Sequence, residues 1–315
     1  MSYIISILLI LGGFALLVKG GDWLVDGSVS IARKARLSTM VIGLTVIGFG
    51  TSAPELFVSA QAALAGSPGI SIGNVVGSNI ANIALILGAT AIIVPCVSKP
   101  FTLRVEVPMM ILACLLMVAV GMSGTIGRLA GICGVLILVS FVTWEVIRSR
   151  RISKKQDSIE ENSPAPMALW KAILLVLLAF AMLVVGANIL IEGATQIAKG
   201  LGVSERVIGL TIVAVGTSLP ELFASIMAAR KGQDDMAVGN IIGSVTFNIF
   251  CGIGVSAAIC PIEGSDQGFL SDYIIMGSLA LILWLFMFTK RTLERWEGVV
   301  LFTSYVAYII YTVIA

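Results

Sequence analysis

The chain has 315 residues, of which 58% are hydrophobic and only 12% are charged. Its 20 Lys and Arg against 18 Asp and Glu leave a formal net charge of +2, which gives no support for nucleic-acid binding. Long uncharged runs separated by short charged loops exclude a soluble globular domain. Because those runs are continuous and do not alternate over about ten residues, they also exclude a transmembrane β-barrel. The sequence predicts an all-α polytopic membrane protein.

Ten apolar segments follow one another along the chain, each long enough to cross a bilayer as a helix. The first has no basic region before it and no small-residue cleavage pattern after it, so we expect a membrane span and not a removed signal peptide. The ten spans are predicted near residues 3–19, 40–65, 71–95, 105–122, 126–147, 168–190, 205–229, 236–261, 272–289 and 297–314.

One 20-residue stretch occurs twice in the chain. Residues 41–60 (VIGLTVIGFGTSAPELFVSA) and 207–226 (VIGLTIVAVGTSLPELFASI) are identical at 13 of 20 positions, and a shift of 166 residues relates the two copies. We therefore predict two five-helix repeats, at 1–147 and 168–315, joined by a polar linker at 148–167. Because five is an odd number, the second repeat enters the membrane from the opposite side, an inverted-repeat architecture that is typical of secondary transporters.

The distribution of Lys and Arg predicts the orientation of the protein. Alternating spans place 17 of the 20 cations on one face, and only Arg128, Lys199 and Arg206 on the other. The positive-inside rule makes the crowded face cytoplasmic. We therefore expect a multi-pass protein of the cell (inner or plasma) membrane, with both termini outside and the 148–167 linker in the cytoplasm.

The five cysteines have no paired spacing and lie in or near apolar spans. We expect them to be small core residues without a redox or metal role. They are Cys96, Cys114, Cys133, Cys251 and Cys260.

The duplicated stretch carries an ionisable residue into the membrane at the same place in each copy. Glu55 and Glu221 lie near the middle of their spans, where a charge costs roughly 2.5–3.5 kcal/mol on insertion scales. Pro54 removes a backbone donor, and Gly48 and Gly50 weaken the helix before it. The second span is therefore expected to be broken or unwound near mid-membrane, with freed carbonyls that can coordinate a cation.

Oxygen-bearing side chains accompany each carboxylate on the same helical face. They are Thr51, Ser52 and Ser59 beside Glu55, and Thr217, Ser218 and Ser225 beside Glu221. Hard cations such as Ca²⁺ and Na⁺ require oxygen ligands, and two carboxylates favour a divalent ion. The sequence therefore predicts an intramembrane cation site.

The span after each carboxylate carries a stripe of amides and hydroxyls spaced by four residues. The two stripes are Asn74, Ser78 and Asn82 in the first copy, and Asn240, Ser244 and Asn248 in the second. The small-residue pairs Gly73–Gly77 and Gly239–Gly243 should let these helices approach a neighbour closely. We expect the stripes to face the carboxylates, and hydrogen bonding between helices without ion binding is the alternative.

Six other acidic residues are expected to lie near span ends, solvated by water or headgroups, and outside the site. They are Asp22, Asp26, Glu106, Glu145, Glu192 and Glu205.

At GTSAPE (50–55) and GTSLPE (216–221), and at GNVVGSNIAN (73–82) and GNIIGSVTFN (239–248), the chain resembles the two α-repeats of the sodium/calcium exchanger family of cation/Ca²⁺ antiporters. It is similar to a microbial member that has only the membrane core. The resemblance implies secondary active exchange of Ca²⁺ for Na⁺ by alternating access at four clustered mid-membrane sites. It also implies that spans one and six form the gating bundle. No cofactor, enzyme activity or obligatory protein partner is expected, and Ca²⁺, Na⁺ and the lipid bilayer are the partners.

Carried over residue by residue, the resemblance makes Glu55 and Glu221 the carboxylates shared by the Ca²⁺ site and the flanking Na⁺ sites. The other implied ligands are the side chains of Thr51, Ser52, Thr217, Ser218, Ser78, Ser244 and Asn82 and the backbone carbonyls of Gly48 and Ala214. Asn248 completes the set, but the family pattern has an Asp there. The site therefore holds at most two negative charges, which one Ca²⁺ balances and three Na⁺ exceed.

Several alternatives stay open on the residues alone. The same two Glu could exchange Ca²⁺ for protons, or Na⁺ exchange could depend on K⁺. A passive channel is disfavoured because such a pore usually comes from oligomeric symmetry. An intramembrane enzyme is disfavoured because no HExxH, Ser/His pair or Asp dyad accompanies the carboxylates, and the chain has no His at all.

Overall fold

The computed structural model describes residues 3–122, 124–156, 167–204, 208–263 and 269–314. Within these ranges the chain is helical apart from two small sheets. Eight described helices are long and apolar enough to cross a membrane, or nine if α7 and α8 form one bent span. The helices are α1 (Tyr3–Ala35), α2 (Thr39–Leu64), α3 (Gly69–Ile93), α4 (Thr102–Gly121), α5 (Arg128–Gln156), α6 (Leu169–Gly200), α7 (Thr211–Thr217), α8 (Leu219–Arg230), α9 (Asp234–Ile259), α10 (Leu270–Lys290) and α11 (Arg295–Ile314).

Two helices extend well beyond the predicted spans. The apolar run of α1 ends near residue 19, but the helix continues to Ala35 because polar residues do not by themselves stop a helix. The helix α5 likewise continues to Gln156, inside the range predicted as a linker. The remainder of that linker, 157–166, lies outside the described residues, as do Glu205 and Arg206.

The helices α1 and α6, one from each half of the chain, pack antiparallel along a seam of glycines. Gly13 lies opposite Gly186, whereas Gly27, further along α1, lies opposite Val176. A Cβ atom on Gly13 would lie 2.6 Å from the carbonyl oxygen of Gly186, closer than real Cβ contacts occur. Only glycine allows the two backbones to approach this closely.

The first half of α2 packs against α9, and the two helices run parallel. A Cβ atom on Gly239 would lie 2.7 Å from the carbonyl oxygen of Met40, and one on Gly48 would lie 3.0 Å from the amide nitrogen of Ser244. Gly243 lies against the backbone of Leu44 in the same way. The close approach predicted for the second small-residue pair is confirmed.

No described residue makes such an approach to the first small-residue pair, Gly73 and Gly77, so the close approach of this pair stays a prediction. Among the described atoms, none lies within 4 Å of a Cβ built on Gly77, and Gly73 meets only the ring of Phe269 at 3.5 Å. The helix α7, which corresponds to the first half of α2, is bent by 52° from α8. Val213 and Thr217 on α7 are exposed.

The prediction that the second span is broken or unwound near mid-membrane was wrong, because α2 is a continuous helix from Thr39 to Leu64. A π-helical turn at Gly43–Ile47 precedes the proline, and Pro54 lies inside the helix. The second copy does break, at Ser218 between α7 and α8, two residues before Pro220. Packing against α9 supports the first half of α2, and α7 lacks an equivalent contact in the described structure.

Two small antiparallel sheets connect loops of the first half with loops of the second. The strand β1 (Cys96–Val97) pairs with β4 (Thr292–Leu293), and β2 (Thr125–Ile126) pairs with β3 (Ile262–Glu263). The 166-residue shift carries Cys96 onto Ile262, so the two sheets occupy corresponding places in the two halves. Burial, helped by the nearby charge of Asp234, raises the pKa of Cys96 to about 12, which keeps this thiol protonated.

Glu106 and Glu145 are buried, so the expectation that water or headgroups solvate them was wrong. The guanidinium of Arg148 lies 3.6 Å from Glu106 and 3.1 Å from Glu145, and it stacks on the ring of Phe101. An intramolecular cation therefore takes the place of solvent. No described hydrogen bond or ion pair joins this group to the carboxylates of Glu55 and Glu221.

Candidate ion-binding site

The two duplicated carboxylates lie close to one another across the two halves of the protein. Glu55 is on α2 and is 4% exposed, and Glu221 is in the first turn of α8 and is 1% exposed. The hydroxyl of Ser52, three residues before Glu55, donates a hydrogen bond of 3.5 Å to Oε1 of Glu221. The structure thus joins residues that are far apart in sequence into one polar centre.

Two buried oxygen atoms of this centre, and a third on α3, lack partners. Oε2 of Glu55, Oε2 of Glu221 and Oδ1 of Asn82 have no hydrogen-bond partner in the described structure. No Lys or Arg of the described chain forms an ion pair with either carboxylate. A buried acceptor without a partner costs about 1–3 kcal/mol, and more when it is charged. Atoms that can only accept are satisfied by a bound cation.

The carbonyl of Gly48 lies where α2 meets α9, within reach of two predicted ligand side chains. Ser244 on α9 donates a 3.4 Å hydrogen bond to this oxygen. The hydroxyl of Thr51 lies 3.5 Å from it and donates a shorter bond, of 3.0 Å, to the carbonyl of Ile47. The structure therefore brings Gly48, Thr51 and Ser244 together as predicted.

Two amides of the polar stripes hold the carboxylate helices in place. Asn74 donates to the backbone carbonyl of Glu55 at 3.0 Å and to the hydroxyl of Ser59 at 2.9 Å. The second half repeats both bonds, from Asn240 to the carbonyl of Glu221 at 3.3 Å and to the hydroxyl of Ser225 at 2.9 Å. For these two amides, hydrogen bonding between helices is their role in the structure.

Asn82 and Asn248 are buried at the start of matching π-helical segments, Ala81–Ile86 and Asn248–Ile253. Such segments occur frequently at functional sites. Nδ2 of Asn248 donates a 3.1 Å hydrogen bond to Oδ1 of Asn79, which is fully buried. Asn79 is not among the residues predicted from the sequence. The pattern that could have pointed to it is the difference between the two copies, because the corresponding residue of the second copy is Val245.

The remaining predicted ligands differ in their burial. Ser218 is buried, Ser78 and Ala214 are half-buried, and Thr217 is exposed. The hydroxyl of Thr217 donates to the carbonyl of Ala214 at 3.1 Å, and no described hydrogen bond connects either residue to the carboxylates. Ala214, Thr217 and Ser218, which belong to the second half, lie on or beside α7, the arm that is bent from α8.

The chemistry of this centre favours hard cations. The described residues contain no group of three or more His, Cys, Asp and Glu side chains placed to hold a metal. The centre instead offers two carboxylates with hydroxyl, amide and carbonyl oxygens, which suits Ca²⁺ and Na⁺ far better than Zn²⁺.

A polytopic helical protein with buried, uncompensated carboxylates between two similar halves belongs to the class of membrane ion transporters. The family model described as sodium/calcium exchanger protein matches residues 5–147 and 171–314. The chain therefore belongs to the sodium/calcium exchanger family, whose members are transporters and not enzymes.

Individual relatives match over nearly the whole chain. The putative antiporter CaxA of Alkalimonas amylolytica is 37% identical over 97% of this chain and 98% of its own length. The sodium/calcium exchanger MaX1 of Methanosarcina acetivorans is 33% identical over 97% of this chain and 98% of its own length. A solved structure of the sodium-calcium exchanger NCX_Mj, soaked with 10 mM Na⁺ and no Ca²⁺, has a TM-score of 0.83 and 32% identity, covering 98% of this chain and 99% of that one.

Proposed function

We propose that this protein exchanges Ca²⁺ for Na⁺ across a cell membrane, at a site built around Glu55 and Glu221. The observation that carries the proposal is the group of buried oxygens without partners, Oε2 of both carboxylates and Oδ1 of Asn82. Two carboxylates balance one Ca²⁺, and the same oxygens can hold Na⁺ when Ca²⁺ leaves. Competition for shared ligands couples the two ions, which are cargo and not cofactors.

The full ligand set of the proposal is the one that the family pattern implies. Asn74 and Asn240 position the helices, whereas Asn82 and Asn248 supply amide oxygens. The other ligands are Thr51, Ser52, Thr217, Ser218, Ser78 and Ser244 and the carbonyls of Gly48 and Ala214. The exposed position of Thr217 then belongs to a state in which one part of the site is open.

We propose ten spans arranged as two inverted five-helix repeats, 1–147 and 168–315, joined by the linker 148–167. In this arrangement α7 and α8 form one bent span and α11 is the tenth. The antiparallel packing of α1 on α6 supports inversion, because the repeat shift relates these two helices. The corresponding positions of the two sheets support it too. Both termini then lie outside, and the linker is cytoplasmic.

The unequal packing of the two arms supports alternating access as the mechanism. The first half of α2 is closed against α9, so ions cannot leave at that end, which the charge distribution makes cytoplasmic. The arm α7 is not closed against α3, so the site opens to the outside. The glycine seam brings the backbones of α1 and α6 into close contact, which suits a pair that moves as one body.

The experiment that tests this proposal is ⁴⁵Ca²⁺ uptake into proteoliposomes loaded with Na⁺. Matched vesicles loaded with K⁺ and carrying an imposed pH gradient test proton coupling, and K⁺ added to the Na⁺-loaded vesicles tests K⁺ dependence. The Glu221→Gln protein, reconstituted at the same density, is the control for leak.

We expect uptake that requires outward Na⁺ and that is lost in Glu221→Gln. Uptake driven only by the pH gradient would show that H⁺, and not Na⁺, is the coupling ion. The neutral amides of Asn82 and Asn248 favour this second candidate function, because they leave the site with only two negative charges. Uptake without any counter-ion would identify a channel and refute exchange.

A further inference from the structure

Asn79 lies beside the ion site and has no counterpart in the second half of the chain. It is fully buried on α3, one residue after the predicted ligand Ser78. Its Oδ1 accepts the hydrogen bond from Nδ2 of Asn248 at 3.1 Å, and its own Nδ2 lies 3.7 Å from the sulfur of Met276 on α10. The position that the repeat shift assigns to it is Val245, which has no amide.

An amide ligand has an orientation problem that a carboxylate does not have. A carboxylate presents an oxygen in either of its two flipped orientations, whereas an amide presents an oxygen in one and an NH₂ group in the other. An NH₂ group repels a cation. At position 248, therefore, the orientation of the amide decides whether the residue is a ligand.

The hydrogen bond to Asn79 decides that orientation. Because Nδ2 of Asn248 is used on Oδ1 of Asn79, Oδ1 of Asn248 must point the other way. No described donor bonds to this Oδ1, so it stays available as an acceptor. Asn79 is itself oriented by Met276, because the sulfur is a weak acceptor and suits the NH₂ end of the Asn79 amide.

We infer that Asn79 is a positioning residue for ion binding, which holds the Asn248 amide with its oxygen directed to the transported cation. This inference rests on the proposed function, because it requires that Asn248 binds a transported ion. Residues that bond to a metal ligand and fix its orientation typically change the metal affinity about 10–100-fold when they are mutated. Asn79 therefore affects affinity through Asn248 and not through any contact of its own with the ion.

The test is a double-mutant cycle that measures the Ca²⁺ and Na⁺ concentrations for half-maximal exchange in proteoliposomes. Asn79→Leu, which is branched at Cγ like Asn but has no acceptor, should raise the half-maximal concentration about tenfold or more. Asn248→Ala should raise it as well. The double variant should be no worse than Asn248→Ala alone, because the residue that Asn79 orients is gone.

Two further variants separate orientation from packing. Asn79→Asp keeps an acceptor oxygen at the same place in either protonation state, and its half-maximal concentrations should stay well below those of Asn79→Leu. Val245→Leu changes a fully buried side chain at the corresponding position of the other half, where no amide is oriented, and it should leave the half-maximal concentrations unchanged.

The outcomes are distinguishable. If Asn79→Leu lowers only the maximal rate or the yield of folded protein, or if its effect adds fully to that of Asn248→Ala, the positioning role is refuted. If Asn79→Asp is as impaired as Asn79→Leu, the acceptor is not what matters and the inference also fails. If the wild-type protein shows no coupled Ca²⁺ uptake, the proposed function fails first, independently of this cycle.

Discussion

The first half of α2 and the arm α7 derive from the same duplicated sequence, but the protein packs them differently. Gly48 of α2 lies against the backbone of α9 at Ser244, and Thr51 is 2% exposed. The corresponding arm leaves Thr217 exposed, and Gly77 on α3 has no described neighbour within Cβ contact distance. Similar sequences in the two copies therefore do not dictate one packing.

The two carboxylates are expected to matter equally despite this asymmetry, and their removal should have the largest effect. Glu55→Gln and Glu221→Gln should each reduce Ca²⁺ uptake to background, because the site would keep one negative charge for a divalent cation. The measurement is ⁴⁵Ca²⁺ uptake by reconstituted protein. Glu192→Gln is the matched control, since Glu192 is exposed on α6 and bonded to Gln196. Substantial uptake by either variant would remove that residue from the site.

Matched glycine substitutions should separate the closed arm from the open one. Gly243→Ala should destabilise the folded protein by about 1–3 kcal/mol, because the new Cβ meets the backbone of Leu44. Gly77→Leu should lower the melting temperature less than Gly243→Ala does, since no described atom lies within 4 Å of a Cβ built on Gly77. It should still abolish exchange, because α7 must pack on α3 in the other state.

The measurements are the melting temperature of each purified variant and its Ca²⁺ flux in proteoliposomes. Full exchange by Gly77→Leu would show that α7 never closes on α3. Equal loss of stability in both variants would contradict the asymmetry itself.

Thiol labelling should report the same asymmetry directly. In a background without the five native cysteines, Thr217→Cys should react with a membrane-impermeant reagent added from the outside, because the side chain is exposed. Thr51→Cys should not react, because the side chain at this position is buried against α9. Mass spectrometry of intact protein gives the labelled fraction. Equal labelling of both positions would place both arms in one environment.

The smallest expected effect concerns an ion pair at the end where α2 is closed. Lys231, in the loop between α8 and α9, lies 2.6 Å from Asp22 and 2.7 Å from Asp26 of α1. Although burial opposes it, hydrogen bonds from Lys231 to these two carboxylates raise the pKa of the amine above its usual range. Because these side chains are partly exposed, Lys231→Met should cost only about 0.2–1 kcal/mol.

The raised pKa of Lys231 fixes the pH dependence of that effect. The amine is charged at every pH below its ordinary value near 10.4, and the stabilisation is lost only as pH rises through the still higher value in the folded protein. The difference in melting temperature between wild type and Lys231→Met should therefore be constant between about pH 6 and pH 8. A difference that changes over this interval would show that other groups control the ion pair.

The sequence was sufficient to predict the burial of the two carboxylates, but not the packing of the helices around them. A Glu in an apolar run is a local signal, and both Glu55 and Glu221 are buried as predicted. Whether a proline breaks its helix depends on what packs beside it, and so the break predicted in α2 occurs only in the second copy. The environments of Glu106 and Asn79 likewise depend on residues distant in sequence, Arg148 and Asn248, which no local pattern contains.

The two small sheets have a consequence for biosynthesis. The strands β1 and β2 pair only with β4 and β3, from the second half of the chain. Before the second half has been inserted, β1 and β2 have no partner strands. Glu55 then also lacks the oxygen atoms that the second half places near it. Assembly of this protein is therefore completed after translation of its last hairpin, when residues 292–293 close the sheet with residues 96–97.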